Sequence, residues 1–460
     1  MGTTLAPLNS TMIALALPVI RDQFQISHAA VAWLAMSYLI AMVVVQPIGG
    51  RLGDQIGRAR VFRACMIGFL AASLAATVAP TFPLLVLSRT VQASVGAMMI
   101  PNGLALLREN VAPNEVGHMT GILSAASSVT AALSPLLGAA IMAFGSWRLT
   151  FLTNVPFVVL GLAAFAVLSY EEPRVDKKPT RFDLLGTLSF TTLLVCGTVL
   201  ANSLRGGSED ARVVTGAAVG LLVSGVVFLY RQILSDKPVA EWSLFRNASF
   251  AGAAVYVLCN NLIMYTTTLM VPFFVKDLRG GSSFTAGALL FALSALMALA
   301  APIGGRVSDS AGRRFPVLLG GALTAGTLVV LLLVIRADTP IVVMAIALAS
   351  MGFGLGLGLG SAPAAAIEAV QLDRSGAAAG TNFMMRWLGA VIGVAFLGSV
   401  LNSDKASEEI GPFTLVIAVM TGAAFLATFS GALISGRSRG WRSWRSPETV
   451  VLSASDEPVL

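Results

Sequence analysis

The sequence predicts an all-α polytopic membrane protein of fourteen transmembrane helices. Its 460 residues are 56% hydrophobic and only 12% charged, against about 25% charged in soluble domains. The mean hydropathy is +0.82. The apolar stretches run to roughly 20 residues, the length of a helix across a bilayer, whereas barrel strands would alternate over about 10.

Taken in order, the spans fall at 4–20, 29–50, 61–81, 83–107, 117–144, 149–170, 184–203, 213–230, 249–275, 285–304, 316–335, 340–362, 378–401 and 412–436. The chain enters its first apolar run at about residue 4, so no separate cleavable leader is expected. Short connections make neighbouring helices antiparallel. The two longer ones, 171–183 and 231–248, set off spans seven and eight as an inserted pair. The polar tail, 437–460, is expected to be disordered. With the N-terminus in the cytoplasm, inner loops and tail hold 20 Lys and Arg and outer loops hold 8. Positive charge marks the cytoplasmic side, so both termini are placed there. The +7 net charge therefore reads as topology, and no nucleic-acid partner is expected. Cys65, Cys196 and Cys259 lie in apolar runs, and His28 and His118 stand alone, so neither a disulfide framework nor a metal site is expected.

One polar phrase is written twice. PIGGRLGDQIGR (47–58) returns as PIGGRVSDSAGR (302–313), 255 residues later. The copies follow spans two and ten. Without the inserted pair they lie six spans apart, which describes two six-helix halves in like orientation, as in transporters built from parallel repeats. Each residue type has a mechanical use. Gly49 and Gly50 allow close helix approach, as do Gly304 and Gly305. Asp54 and Asp309 can cap a helix or pair with Arg58 and Arg313. Gly57 and Gly312 permit a tight turn. The two loops are expected to act as conformational latches.

These loops resemble the signature motif of the major facilitator superfamily. Further matches resemble its fourteen-span drug:proton antiporter branch: LNSTMIALALP (8–18), WLAMSYLIAMVVVQPIGGRLGD (33–54), RTVQASVGA (89–97), SPLLGAAI (134–141), WRLTFLTNVP (147–156), FDLLGTL (182–188) and RWLGAVIGVA (386–395). The resemblance covers nearly the whole chain. It implies an N-terminal half over 1–170, an inserted pair with its loops over 171–248, a C-terminal half over 249–436 and a cytoplasmic tail over 437–460. It also implies a location in the bacterial inner membrane, a monomer embedded in lipid, and a small-molecule substrate exchanged against protons.

Charged groups inside spans are costly, about 2.5–3.5 kcal/mol on insertion scales, so each is a functional candidate. Arg89 and Arg386 lie well inside spans four and thirteen, and Gln92 shares a face with Arg89. In the resembling family the arginine of span four is linked to proton coupling. None of the 23 acidic residues falls clearly inside a span; Asp22, Asp183 and Glu368 stand at margins. The family usually offers an aspartate in span one, where this chain has Asn9, which cannot titrate. Its Gly-Pro…Gly-Gly in span five is Ser134-Pro135…Gly138-Ala139 here. Coupling would then use another group, such as Asp54, Asp22 or Glu109, or be absent. Asn260, Asn261, Tyr265 and Asn382 are further mid-span polar residues that line a path or bond helix to helix. Pro135, Pro156 and Pro272 are expected to kink their helices. GFGLGLGLG (352–360) follows no strand and reads as close helix packing rather than a dinucleotide loop.

No Walker loop, nucleophile–base set or cofactor motif is present in the sequence, so no cofactor and no enzymatic activity are expected. The expected function is secondary transport by alternating access, exporting small hydrophobic compounds or drugs with proton coupling. The alternatives are an uncoupled or differently coupled facilitator of lipid, neutral or anionic substrates, and a sensor on a transporter fold.

Overall fold

The computed structural model describes residues 2–112, 115–167, 183–203, 211–234, 241–371, 374–401 and 409–436. Most of the loop 171–183 and the tail 437–460 lie outside them. Every regular element among the described residues is helical. The first seven helices are α1 (Gly2–Phe24), α2 (His28–Ile56), α3 (Arg58–Val78), α4 (Phe82–Asn110), α5 (Val116–Ala143), α6 (Leu149–Leu152) and α7 (Asn154–Val167). Next come α8 (Leu184–Asn202) and α9 (Ala211–Leu234). The last seven are α10 (Ala248–Phe273), α11 (Ser283–Ala311), α12 (Arg314–Val334), α13 (Ile341–Leu359), α14 (Ser361–Glu368), α15 (Ser375–Val400) and α16 (Ile410–Gly431).

Twelve of the described segments are long and apolar enough to cross a membrane. The predicted spans outside that set are 4–20, within α1, and 184–203. The second holds a shorter apolar helix, Leu185–Ala201, whose 17 residues extend about 26 Å, less than the ~30 Å hydrocarbon core. Two predicted spans are each split in two. Pro156 lacks the N–H that would bond Leu152, and Pro363 the one that would bond Leu359. Helices α6 and α13 end at those two residues, and a new helix starts beyond Thr153 and Gly360. Pro135 and Pro272 instead sit within continuous helices. Proline at 135 frees the carbonyl of Ala131, and Ser134 Oγ donates to it at 3.4 Å. A π turn, Phe274–Leu278, follows Pro272.

The 255-residue repeat extends into three dimensions. Ser27 Oγ caps α2 by accepting from Ala30 N, and Ser282 Oγ caps α11 by accepting from Thr285 N. Both helices are 29 residues long and end at a glycine, Gly57 with φ 110° and Gly312 with φ 89°. Side chains with a Cβ rarely adopt that backbone region. The following helices are both 21 residues long. The packing repeats as well: α2 lies on α4 as α11 on α13, α1 on α5 as α10 on α15, and α3 on α7 as α12 on α16. The two sets join reciprocally, α5 on α11 and α15 on α2, with α1 against α10. Helix α8 packs on α9, α2 and α15.

The GFGLGLGLG stretch is a packing surface. A Cβ on Gly352 or Gly356 would strike the backbone of Leu293 or Met297 on α11. One on Gly354 would strike α12, and one on Gly358 the Tyr256 ring. With apolar lipid outside, such close approach supplies the dispersion contacts that hold membrane helices together.

Candidate functional site

The repeated loops form two matching ion-pair networks. Arg58 donates to Asp54 at 2.8 Å, one helical turn away, and to Glu109 at 2.7 Å at the end of α4. Arg313 donates to Asp309 at 2.8 Å and to Glu368 at 2.7 Å at the end of α14. It also reaches Ser308 Oγ at 3.0 Å. The hydrogen bond to Glu368 is the main reason the Arg313 pKa is raised. The sequence suggested the i,i+4 pairs, whereas Glu109 and Glu368 are partners it did not identify. Each network stays within its own helix set. Beside each loop a polar side chain ties down a glycine carbonyl: Asn102 Nδ2 donates to Gly49 O at 2.8 Å, and Ser361 Oγ to Gly304 O at 3.3 Å.

The glycine assignment needs a correction. A Cβ on Gly49 would collide with Met98, and one on Gly304 with the Leu357 backbone. Gly50 faces Pro101 at ordinary contact distance, and nothing lies within 4 Å of a Cβ on Gly305. One residue along a helix turns 100°, so only the first glycine of each pair packs too closely on the neighbour to admit a Cβ.

Arg89 is fully buried on α4 and does not reach the surface. Its Nη1 donates to Gln92 Oε1 at 2.5 Å, and Gln92 Nε2 donates to Ser73 Oγ on α3 at 2.7 Å. The guanidinium carbon lies 4.2 Å from the centroid of the Tyr38 ring on α2. The ring's negative face stabilises the cation. In α5, Ser134 Oγ and Thr11 Oγ1 on α1 are 2.5 Å apart. Pro135 O and Ala139 Cβ press against Gly287 on α11. Asn9 lies in α1, but its side chain is outside the described set.

In the last seven helices, Arg386 Nε donates to Asn261 Oδ1 at 3.2 Å, bonding α15 to α10. Asn260 Nδ2 donates to Leu355 O at 3.4 Å, and Asn261 Nδ2 to Val257 O at 2.9 Å. These two therefore bond helix to helix, Asn260 to α13 and Asn261 to α15. Tyr265 is buried, its ring 5.9 Å from that of Trp387. Asn382 is buried one turn before Arg386. Asp183 caps α8 and accepts from Arg231 of α9 at 3.0 Å.

A fourth cluster, at the end of the bundle away from the repeated loops, was not recognised from sequence. Arg21 Nη1 and Nη2 bond Asp277 Oδ2 and Oδ1 at 2.5 and 2.9 Å. Lys276 Nζ bonds Asp22 at 2.5 Å, and His28 Nε2 lies 3.0 Å from Asp277 and in contact with Arg21. His28, expected to be isolated, is thus a hydrogen-bond partner in this cluster. The Arg21–Asp277 and Lys276–Asp22 ion pairs of this clasp cross between the first and last seven helices. Burial pushes the Asp22 pKa up, but hydrogen bonds from Lys276 and Arg21 outweigh it and hold the group below its ordinary value. Beneath the clasp is a small apolar cavity lined by Leu17, Ala32, Leu269, Phe273 and Leu401. No cluster of metal-ligating side chains occurs among the described residues.

A family profile described as Major Facilitator Superfamily matches residues 1–394. The chain is 30% identical over 434 residues to the uncharacterized MFS-type transporter YwoD of Bacillus subtilis, covering 92% of this chain and 94% of that one. It is 28% identical over 330 residues to the tetracenomycin C resistance and export protein of Streptomyces glaucescens, covering 71% of this chain and 61% of that one. Several other relatives named as resistance proteins are 27–28% identical. A solved structure, a bacterial homolog of the human lysosomal transporter Spinster in an inward-facing and unoccupied conformation, superposes with a TM-score of 0.60. It is 15% identical and covers 94% of this chain and 95% of that one, a likeness of fold.

Proposed function

The chain belongs to the Major Facilitator Superfamily, a family of membrane transporters rather than enzymes, and on that premise we propose that it exports small hydrophobic compounds or drugs by proton-coupled alternating access. In this reading, helices within 1–170 and 249–436 are two halves that rock about a central path. The inserted pair within 171–248 completes fourteen spans of the drug:proton antiporter branch. The protein is a monomer in the inner membrane with both termini in the cytoplasm, so the repeated loops face inward and the clasp faces outward. The observation that carries the reading is the asymmetry of the ion pairs. Those of Arg58 and Arg313 at the loops stay within each half, while those of Arg21 and Lys276 at the clasp join the halves. The names of the resistance relatives support export. The burial of Arg89, stacked on Tyr38 and bonded to Gln92, supports the reading that it couples a charge change to helix movement.

Asn9 favours a second reading, transport without a titrating group in α1. One experiment separates the two. Efflux of the neutral dye phenylnaphthylamine is followed from efflux-deficient bacteria producing this chain, with and without a protonophore. Proton coupling predicts that the protonophore and Arg89→Ala each abolish export. Export that persists under protonophore leaves a facilitator or another ion, and no export from protein shown to be in the membrane rejects an exporter of neutral hydrophobic compounds.

A further inference from the structure

Two turns of α15 present hydrogen-bond donors that outnumber their acceptors. Arg386 forms no ion pair among the described residues, and only its Nε is engaged, with Asn261. Its two terminal nitrogens donate to no described residue. Asn382, on the same face one turn earlier, is 5% exposed, and its Nδ2 has no acceptor. Trp387 is 6% exposed, and its Nε1 has none either. The Arg386 guanidinium lies 5.7 Å from the Trp387 ring centroid and 5.8 Å from that of Phe383, with Tyr265 behind Trp387. Unlike Arg89, which is fully buried under Tyr38, Arg386 keeps partial access.

A buried donor without an acceptor costs free energy, and a guanidinium within a span costs more. Bonding between helices does not account for this arrangement. The bond to Asn261 uses Nε and leaves the two-pronged edge of the guanidinium, the edge whose geometry matches a carboxylate or sulfonate, without a partner. The walls around it are aromatic. A cationic substrate would meet repulsion here, with no described carboxylate in the cluster to offset it.

We propose that Arg386, Asn382 and Trp387 form the recognition site for an acidic group, carboxylate or sulfonate, on an aromatic substrate. The inference rests on the proposed transport path, because it names the substrate class that the path selects. Arg386 supplies the charge and the bidentate donors, Asn382 and Trp387 supply single N–H groups, and Phe383 and Trp387 stack against the apolar body.

Binding is measured on the full chain in lipid nanodiscs, with empty nanodiscs subtracted. Two dyes sharing one ring system serve as probes, the anionic anilinonaphthalene sulfonate and its neutral counterpart phenylnaphthylamine. The expected result is that the anion binds roughly tenfold tighter. Arg386→Gln removes that preference and leaves the neutral dye unchanged. Trp387→Phe keeps a ring in place but deletes one donor, and weakens only the anion, by about threefold. This variant carries the test if Arg386→Gln does not fold. Equal binding of both dyes by the native chain overturns the proposal, as does a loss in Trp387→Phe or Arg386→Gln that is equal for both. Binding needs no transport, so a chain that selects the anion yet exports nothing contradicts the proposed function and leaves this inference standing.

Discussion

The two ends of the helix bundle use the same chemistry for opposite purposes. At the loop end, Arg58 and Arg313 are each held by two carboxylates of their own helix set. At the clasp end, Arg21 and Lys276 reach across to Asp277 and Asp22 of the other set. An ion pair within a rigid unit survives a rocking motion, whereas one between units must break. The proposed rocking motion would therefore break the clasp and leave intact, within each set, the loop networks that the sequence suggested as latches.

The largest effect is expected from breaking the clasp. Asp277→Asn leaves Arg21 without its bidentate partner in a site where the Asp277 side chain is 6% exposed. Removing one member of a buried pair costs about 3 kcal/mol or more. A cysteine placed at Ala32, buried beside the cavity under the clasp, should then react with a thiol reagent on the order of 100-fold faster. An unchanged rate would show that apolar contacts alone close this end.

Next come the glycines of the loop end. Gly304→Ala drives a methyl into the Leu357 backbone and should cost about 1–3 kcal/mol, read as a fall in Tm. Gly305→Ala points into open space and should stay within about 0.5 kcal/mol. Similar losses in both would undo the assignment of the close approach to the first glycine.

The two loop networks should themselves differ. The Arg313 side chain is 15% exposed against 33% for Arg58, and its partner Glu368 is more shielded than Glu109. Arg313→Ala should therefore destabilise by about 1 kcal/mol and Arg58→Ala by about half that, compared as shifts in Tm. The reverse order would mean that the two copies carry unequal mechanical load.

The smallest effect concerns acid. Asp22 is held below its ordinary pKa by Lys276 and Arg21. Its contribution is complete above the unfolded value, about 4, and is lost as pH falls through the lower folded value. Spin labels on Gln25→Cys and Asp338→Cys, exposed positions at the clasp end, should hold their separation from neutral pH down to about 4 and drift apart only below it. Separation beginning near neutrality would show that the Asp22 pairs do not set the opening.

Much of the scaffold was legible because membranes impose simple rules. Span length follows from bilayer thickness, and the repeated phrase located two equivalent loops whose i,i+4 pairs formed as expected. Proline explains both split helices, because Pro156 and Pro363 deprive Leu152 and Leu359 of a partner; the sequence pointed to a kink at Pro156 but not to the break before Pro363. The long-range partners were not legible. Glu109 and Glu368 lie 51 and 55 residues from their arginines. The clasp residues stood at span margins, 254 to 256 residues apart, where a charge reads as an interface marker. Only the packing of α1 against α10 brings them together.

Alternating access itself is tested most directly by measuring one spin-label distance at each end of the same protein. Gln25→Cys and Asp338→Cys report the clasp, and Gln55→Cys and Ser310→Cys, equivalent positions in the two repeats, report the loops. Each pair is placed in a chain with Cys65, Cys196 and Cys259 replaced by alanine, with and without Asp277→Asn. Rocking of the two sets predicts that Asp277→Asn lengthens the clasp distance and shortens the loop distance together. A clasp that opens while the loop distance holds or grows would contradict it.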